Sequence, residues 1–293
     1  MCFFLRDISS RPKVRGLSNV PTFTTRAGVL AALAIFCLTP AFPARAEPWE
    51  STVSPFVPGS FPEPRSLRAR YNFGWSGFTA ATSDIRFKKL NDARFHLEAN
   101  GGTIGLVRTL WKYNIRHSAF LNATTLRTLE IKEVESIYSK QFTTDLTYSP
   151  DGVSSVRVER KGREAESKSR RFDFPDVQSI ISTLLFLRSQ PLPDGAVHRV
   201  VVYPATSAYL STIRVLGREH VTVPTGKCEA IKLDLQLSKI GSKHELVPHK
   251  KFRNATVWIS NDNDRLVLRV EAQVFVGTVF AELQSVQFDQ AKP

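Results

Sequence analysis

Six histidines and three cysteines are the residues from which metal or thiol chemistry would be built in this 293-residue chain. The histidines, His96, His117, His198, His220, His244 and His249, are scattered, and no two stand at the i, i+4 spacing that puts two imidazoles on one helical face toward a zinc ion. His244 and His249 flank Pro248 beside Lys250 and Lys251, a cationic setting that repels a divalent ion. The run Gly101-Gly102-Thr103-Ile104-Gly105 is glycine-rich but lacks the lysine-serine ending of a phosphate loop and the spacing of a dinucleotide turn. It is expected to be a strand bend or bulge. No Gly-x-Ser-x-Gly elbow occurs, and Cys228 has no obvious histidine partner in sequence to act as a base. Asp84, Glu98 and Asp234 fall in strand-like segments where a carboxylate faces solvent by default, and glycoside chemistry would need two of them to converge in a cleft. The sequence therefore nominates no catalytic residue, no metal ligand and no cofactor.

The elements that would position any site are mostly strands. Period-2 alternation places Tyr71, Phe73 and Trp75 on one face of a strand, and Phe95, Leu97 and Ala99 on one face of another. Asp151-Gly152, Pro224-Thr225-Gly226 and Asn261-Asp262-Asn263-Asp264 read as hairpin turns. Many short strands so punctuated imply a mainly β fold: a curved antiparallel sheet, or an open or closed β-barrel. The exception is Pro175 to Arg188, where Val177, Ile180, Ile181, Leu184 and Leu185 recur at helical spacing. Asp173 is the expected cap, Pro175 and Asp176 suit a first turn, and Pro191 and Pro193 stop the run. One amphipathic helix is thus expected, with its Ile180, Ile181, Leu184 and Leu185 face on the sheet. Just before it, Lys161 to Arg171 is a dense basic stretch, read first as a solvated loop and second as a contact for an anionic surface.

Residues 1–46 have the order of a secretory signal peptide: a basic leader, the apolar run Ala27 to Leu38, and Ala44-Arg45-Ala46 before Glu47. The run is shorter than the roughly 20 residues that span a bilayer, so no transmembrane helix is expected in the mature chain. Cys37 follows Phe36 inside the apolar run, which argues against lipidation there. Residues 47–66 carry Pro48, Pro55, Pro58, Pro62 and Pro64 and are expected to be an extended tether, ahead of a single β-rich domain over 67–290. Six basic residues and one acid leave with the signal segment, which lowers the formal charge from +13 to +8. A periplasmic protein of that charge meets anionic lipid and polysaccharide before it meets DNA, so nucleic acid is set aside. Cys2 and Cys37 leave too, and Cys228, alone, is expected to be a small buried apolar side chain.

Several blocks together carry a resemblance. They are Tyr71-Asn72-Phe73-Gly74-Trp75-Ser76-Gly77-Phe78, Asp176 through Leu192-Pro193-Asp194-Gly195, Leu216-Gly217-Arg218-Glu219 through Val223-Pro224-Thr225-Gly226, and Val257-Trp258-Ile259-Ser260-Asn261-Asp262 with Arg265-Leu266. In order and spacing they resemble an exported bacterial family of unknown function, over nearly the whole chain from Leu67. Ser76 departs from the commoner Trp-Gly-Gly opening, and Gly101 to Trp111 looks like the alphaproteobacterial version. The resemblance implies a periplasmic antiparallel β-rich domain, distantly similar to the open-barrel proteins that carry lipoproteins across the periplasm. It implies no activity and no catalytic residues.

Function is read on this basis as noncatalytic binding or transport of an apolar or amphipathic envelope molecule, a lipid or lipid-linked glycan. Trp75 and Trp111 are the residues expected to line its cavity, with Arg108 at the mouth for an anionic headgroup. The alternative is an envelope scaffold or assembly factor that uses Lys168, Arg170 and Arg171 to hold a protein or polysaccharide. A hydrolase with an unrecognised site ranks third.

Overall fold

The computed structural model describes residues 48–289 apart from 92, 250, 251, 275 and 276, so the expected signal segment at 1–46 lies outside the described residues. From Thr52 onward the chain forms one compact unit. Its first half is an uninterrupted meander: β1 (Leu67–Trp75), β2 (Phe78–Asn91), β3 (Arg94–Thr103), a short helix α1 (Gly105–Leu110), β4 (Tyr113–Asn122), β5 (Thr128–Ile137), β6 (Lys140–Ser149), β7 (Gly152–Lys161) and β8 (Glu164–Asp173). After the helix α2 (Ile180–Ser189) come β9 (Val197–Val202), β10 (Tyr209–Val223), β11 (Gly226–Ile240), β12 (Leu246–Pro248), β13 (Phe252–Ser260), β14 (Val267–Val274) and β15 (Thr278–Phe288). All pair antiparallel in one 15-stranded sheet of order β8-β7-β6-β5-β4-β3-β2-β1-β15-β14-β13-β11-β10-β9, with β12 beside β11.

The sheet is mainly β and not closed by a ladder, since β8 and β9 are its two edges. Right-handed twist curls a sheet of this width. The seam between the edges is bridged by other means. The backbone N–H of Gln178 donates to Val201 (2.8 Å) and that of Tyr203 donates to the Gln178 carbonyl (2.9 Å). The Tyr148 hydroxyl donates to the Tyr203 carbonyl (2.7 Å), and the Arg170 guanidinium on β8 donates to the Thr206 carbonyl (2.8 Å).

The three expected hairpin turns all occur, between β6 and β7, β10 and β11, and β13 and β14. Four expectations need correction, three of them in the helix and strands. The helix starts at Ile180, not Pro175, because Asp176 has a left-handed φ of 60° that no helix accepts and Ser179 caps instead. The Ser179 hydroxyl accepts from the Ser182 N–H (3.0 Å) while the Ser182 hydroxyl accepts from the Ser179 N–H (2.9 Å). The basic stretch Lys161 to Arg171 is not a loop: Glu164–Asp173 is edge strand β8, which pairs with β7 through ten residues. Gly101 and Gly102 form no bulge but continue β3, where a Cβ on Gly102 would meet Asn114 Oδ1 and the Tyr113 carbonyl at 2.9 Å each.

Apart from one 3-10 turn at Trp49–Thr52 the proline-rich stretch is irregular, yet from Thr52 it is no free tether. Phe56 is buried and stacks on Phe186 of α2 with ring centroids 4.6 Å apart. Arg188, in the last turn of α2, ties this strap and the β13–β14 turn to the helix. It donates to the carbonyls of Pro62, Asn263 (2.9 Å) and Asp264 (2.9 Å). Burial pulls its guanidinium below the usual arginine pKa, with the Asp264 carboxylate opposing the shift. Cys228 is half-buried against the cluster of Ala69, Val221, Trp258 and Leu283.

A cavity between helix and sheet

The α2 helix covers the concave face of the sheet unevenly. Toward β10, β11 and β13 its Thr183 and Leu187 meet Ile213, Leu233 and Val257, and only about 50 Å³ of space is left. Toward β1–β5 the facing residues are small, among them Ala81, Ser83, Ala99 and Gly101, and a cavity of about 380 Å³ remains. Strand alternation explains its place: Ala81 opposes Thr103 and Ser83 opposes Gly101, so short side chains stack in adjacent rows under the helix. Ile180, Ile181 and Leu184 form the roof. The face of Ile180, Ile181 and Leu184 does look onto the sheet, as expected, but largely across the cavity, so these residues and Leu185 are half-buried, whereas Ser182, Phe186 and Leu187 are buried.

Trp75 and Trp111 both line the cavity at one end, at 49% and 38% exposure. The Thr103 hydroxyl fixes Trp111 by donating to its carbonyl (2.8 Å), and the Trp111 ring lies 5.4 Å from that of Tyr113. Arg108 is not among the lining residues. Its guanidinium donates to the Thr103 carbonyl (3.2 Å) and to Asn114 Oδ1 (2.9 Å), tying α1 to the ends of β3 and β4 beside the cavity. Lys168, Arg170 and Arg171 lie elsewhere, on β8, with Arg171 on the opposite face of the strand from the other two; Lys168 pairs with Glu166 (2.8 Å) and Arg171 with Asp173 (2.5 Å).

One wall of the cavity is polar, and sequence reasoning missed it. Across the concave face, Ala99, His117, Glu133, Thr144 and Arg157 stand opposite one another on successive strands β3 to β7. His117 and Glu133 reach the cavity, with the imidazole Nδ1 3.4 Å from Glu133 Oε2 and Nε2 buried without a hydrogen-bond partner. Next to them Glu135 accepts from the Tyr113 hydroxyl (2.6 Å) and from the Arg157 guanidinium (3.2 Å), which also donates to Thr144 Oγ1 (3.2 Å). Burial pulls the Arg157 guanidinium below its ordinary pKa, with the Glu133 carboxylate opposing that shift. The site can enclose an apolar chain and offer it one hydrogen-bonding wall. Among the described residues no three His, Cys, Asp or Glu side chains gather as a metal site would require. No helix among them is long and apolar enough to cross a membrane.

Comparison with known proteins gives a fold likeness. The beta-barrel-like protein of domain of unknown function DUF1849 from Brucella abortus superposes with a TM-score of 0.51 at 9% identity, over 78% of this chain and all (100%) of that one. A protein described as exported, with a YmcC-like fold, from Bacteroides fragilis gives 0.35 at 9% identity over 78% of this chain and 99% of its own. A protein described as a lipoprotein, from Parabacteroides distasonis, gives 0.31 at 9% identity over 79% and 99%. Only the first score is high enough to bear on architecture, and it supports a barrel-like sheet. No curated protein matches the chain. Residues 69–284, from β1 to β15 and so including every wall of the cavity, match the model of one sequence family, and the chain belongs to that family, described as Protein of unknown function (DUF3108).

Proposed function

We propose that the protein is exported and binds an amphipathic envelope molecule, a lipid or lipid-linked glycan, in the cavity under α2 without transforming it. The observation that carries this reading is the 380 Å³ space with its apolar roof of Ile180, Ile181 and Leu184. Its volume falls in the range of small-ligand sites, about 300 to 1,000 Å³. The leader before Glu47 supports export, and N-terminal sequencing of secreted protein checks it. A start at Cys37 carrying acyl chains overturns a soluble periplasmic form.

Titration with a fluorescent fatty-acid analogue tests the ligand reading. Ile181→Trp fills the cavity and abolishes binding. Trp111→Ala weakens binding by about tenfold through lost apolar contact. Arg108→Ala weakens it for an acid but not for the matching alcohol. No binding by the wild type, or full binding by Ile181→Trp, ends the proposal. The scaffold reading draws on a separate observation, the exposure of β8 at nine of its ten positions. It expects neutralising Lys168, Arg170 and Arg171 to lose a protein or polysaccharide partner in pull-down while probe binding persists.

A further inference from the structure

We propose that the end of the sheet carrying Trp75 and Trp111 docks on the surface of an anionic phospholipid bilayer. This goes beyond the ligand reading and does not require the cavity to be filled.

The antiparallel order sends every second connection to the same end. There the β1–β2 turn, α1 between β3 and β4, the β5–β6 turn and the β7–β8 turn stand side by side. Single exposed apolar residues are ordinary on a protein surface, but here they are concentrated. Phe78 and Leu106 are each 76% exposed, Leu110 70%, Tyr138 59%, Trp75 49% and Trp111 38%. The opposite end presents the Asp151, Pro224 and Asp262 turns instead.

The patch is held out rather than frayed. Ser76 and Tyr138 both take left-handed φ values, 46° and 53°, which cost free energy for residues with a side chain and persist only where the surroundings impose them. The Ser76 N–H donates to the Thr278 carbonyl (2.8 Å). The Tyr138 N–H donates to the Lys112 carbonyl (2.9 Å) and its hydroxyl to the Leu110 carbonyl, joining the β5–β6 turn to α1.

Charge decides what covers the patch. Lys112, Lys140, Lys161 and Arg163 flank it, all exposed, against Glu159, which pairs with Lys140 (2.7 Å), and Glu164. Aromatic rings with polar edges settle at the headgroup level, and each lysine or arginine near an anionic leaflet adds attraction. Apolar tips beside a basic flank match that surface in both respects, whereas an uncharged apolar partner would match only the tips.

Co-sedimentation with vesicles of equal parts phosphatidylcholine and phosphatidylglycerol, beside vesicles of phosphatidylcholine alone, tests the assignment. Wild type partitions onto the anionic vesicles about tenfold or more better than onto the neutral ones, and loses that preference at high salt. Phe78→Asp with Leu106→Asp, and separately Lys112→Glu with Lys161→Glu, each reduce partition by about tenfold or more while far-ultraviolet dichroism stays unchanged. Lys168→Glu with Arg170→Glu, toward the other end of β8, partitions like wild type. Failure of the wild type to bind anionic vesicles overturns the proposal, as does wild-type partition by both tip variants. Ile181→Trp partitions normally, so docking and cavity occupancy succeed or fail independently.

Discussion

Arg157 on β7 is the cation against which two interior carboxylates are set, and it is itself only 24% exposed while Glu135 is 4% exposed. A carboxylate taken out of water is tolerable only with its partner, so deleting the partner costs more than the pair contributes. Arg157→Met is expected to cost about 3 kcal/mol in urea unfolding, and adding Glu135→Leu is expected to recover part of it. Equal stability of the single variant and wild type would mean that water reaches Glu135. His198 gives a pH prediction. Burial lowers its pKa below 6.5, its Nε2 is buried without a hydrogen-bond partner, and its ring stands edge-on to Phe186 at 5.7 Å. The unfolded chain then takes up the proton first, so stability is full above about 6.5 and falls as pH drops toward the lower folded value. Melting temperature should fall less between neutral pH and mildly acidic pH in His198→Phe than in wild type; parallel curves would refute this. Trp75 was legible because an aromatic residue in an alternating strand must face something apolar; Trp111, just past the end of α1, lies in no strand and no alternation places it. The polar wall was not. Glu130, Lys132, Glu133 and Glu135 put charge on both faces of β5, so period 2 alone could not say which carboxylates point inward.

At the scale of elements, α2 behaves as two half-interfaces. Leu187 is buried against the large side chains of β10, β11 and β13, so Leu187→Ala opens a hole and should cost about 2 to 5 kcal/mol. Ile181 already borders empty space, so Ile181→Ala removes only part of an apolar side chain from a half-buried position, at about 1 kcal/mol. Thermal unfolding of the two variants checks the contrast, and equal losses would mean the cavity collapses onto the helix. The existence of this helix could be read from its spacing, but not its start. Asp173 and Pro175 mimic a cap and first turn, while the real cap uses Ser182 where a capping box usually has glutamate or glutamine. The strap from Thr52 to Arg65 was equally hidden. Prolines forbid regular structure, but they say nothing about whether Phe56 finds a ring to stack on, and that depends on a helix 130 residues later.

For the whole molecule, the decisive feature is that the sheet curls without closing. Alternation and turn chemistry foretold an antiparallel curved sheet; they could not fix whether β8 meets β9, because edge pairing depends on accumulated twist rather than on any local pattern. In place of a ladder, the seam has two backbone hydrogen bonds at Gln178 and a few from side chains, with the Phe172 and Tyr203 rings 6.1 Å apart across it. A seam of this kind is weaker per residue than the strands it joins, so local opening should begin there and expose the edge of α2 above the cavity. Tyr148→Phe removes the hydroxyl that bonds the Tyr203 carbonyl. It is expected to cost about 1 kcal/mol in global stability and to speed amide exchange at Gln178 and around Tyr203. Amides in the centres of β1 to β4, laddered on both sides, should keep wild-type protection. Hydrogen exchange read by mass spectrometry separates the outcomes: faster exchange confined to the seam supports a gate formed by the two edges, whereas a uniform increase across the sheet would show that seam and sheet open as one unit and that no such gate exists.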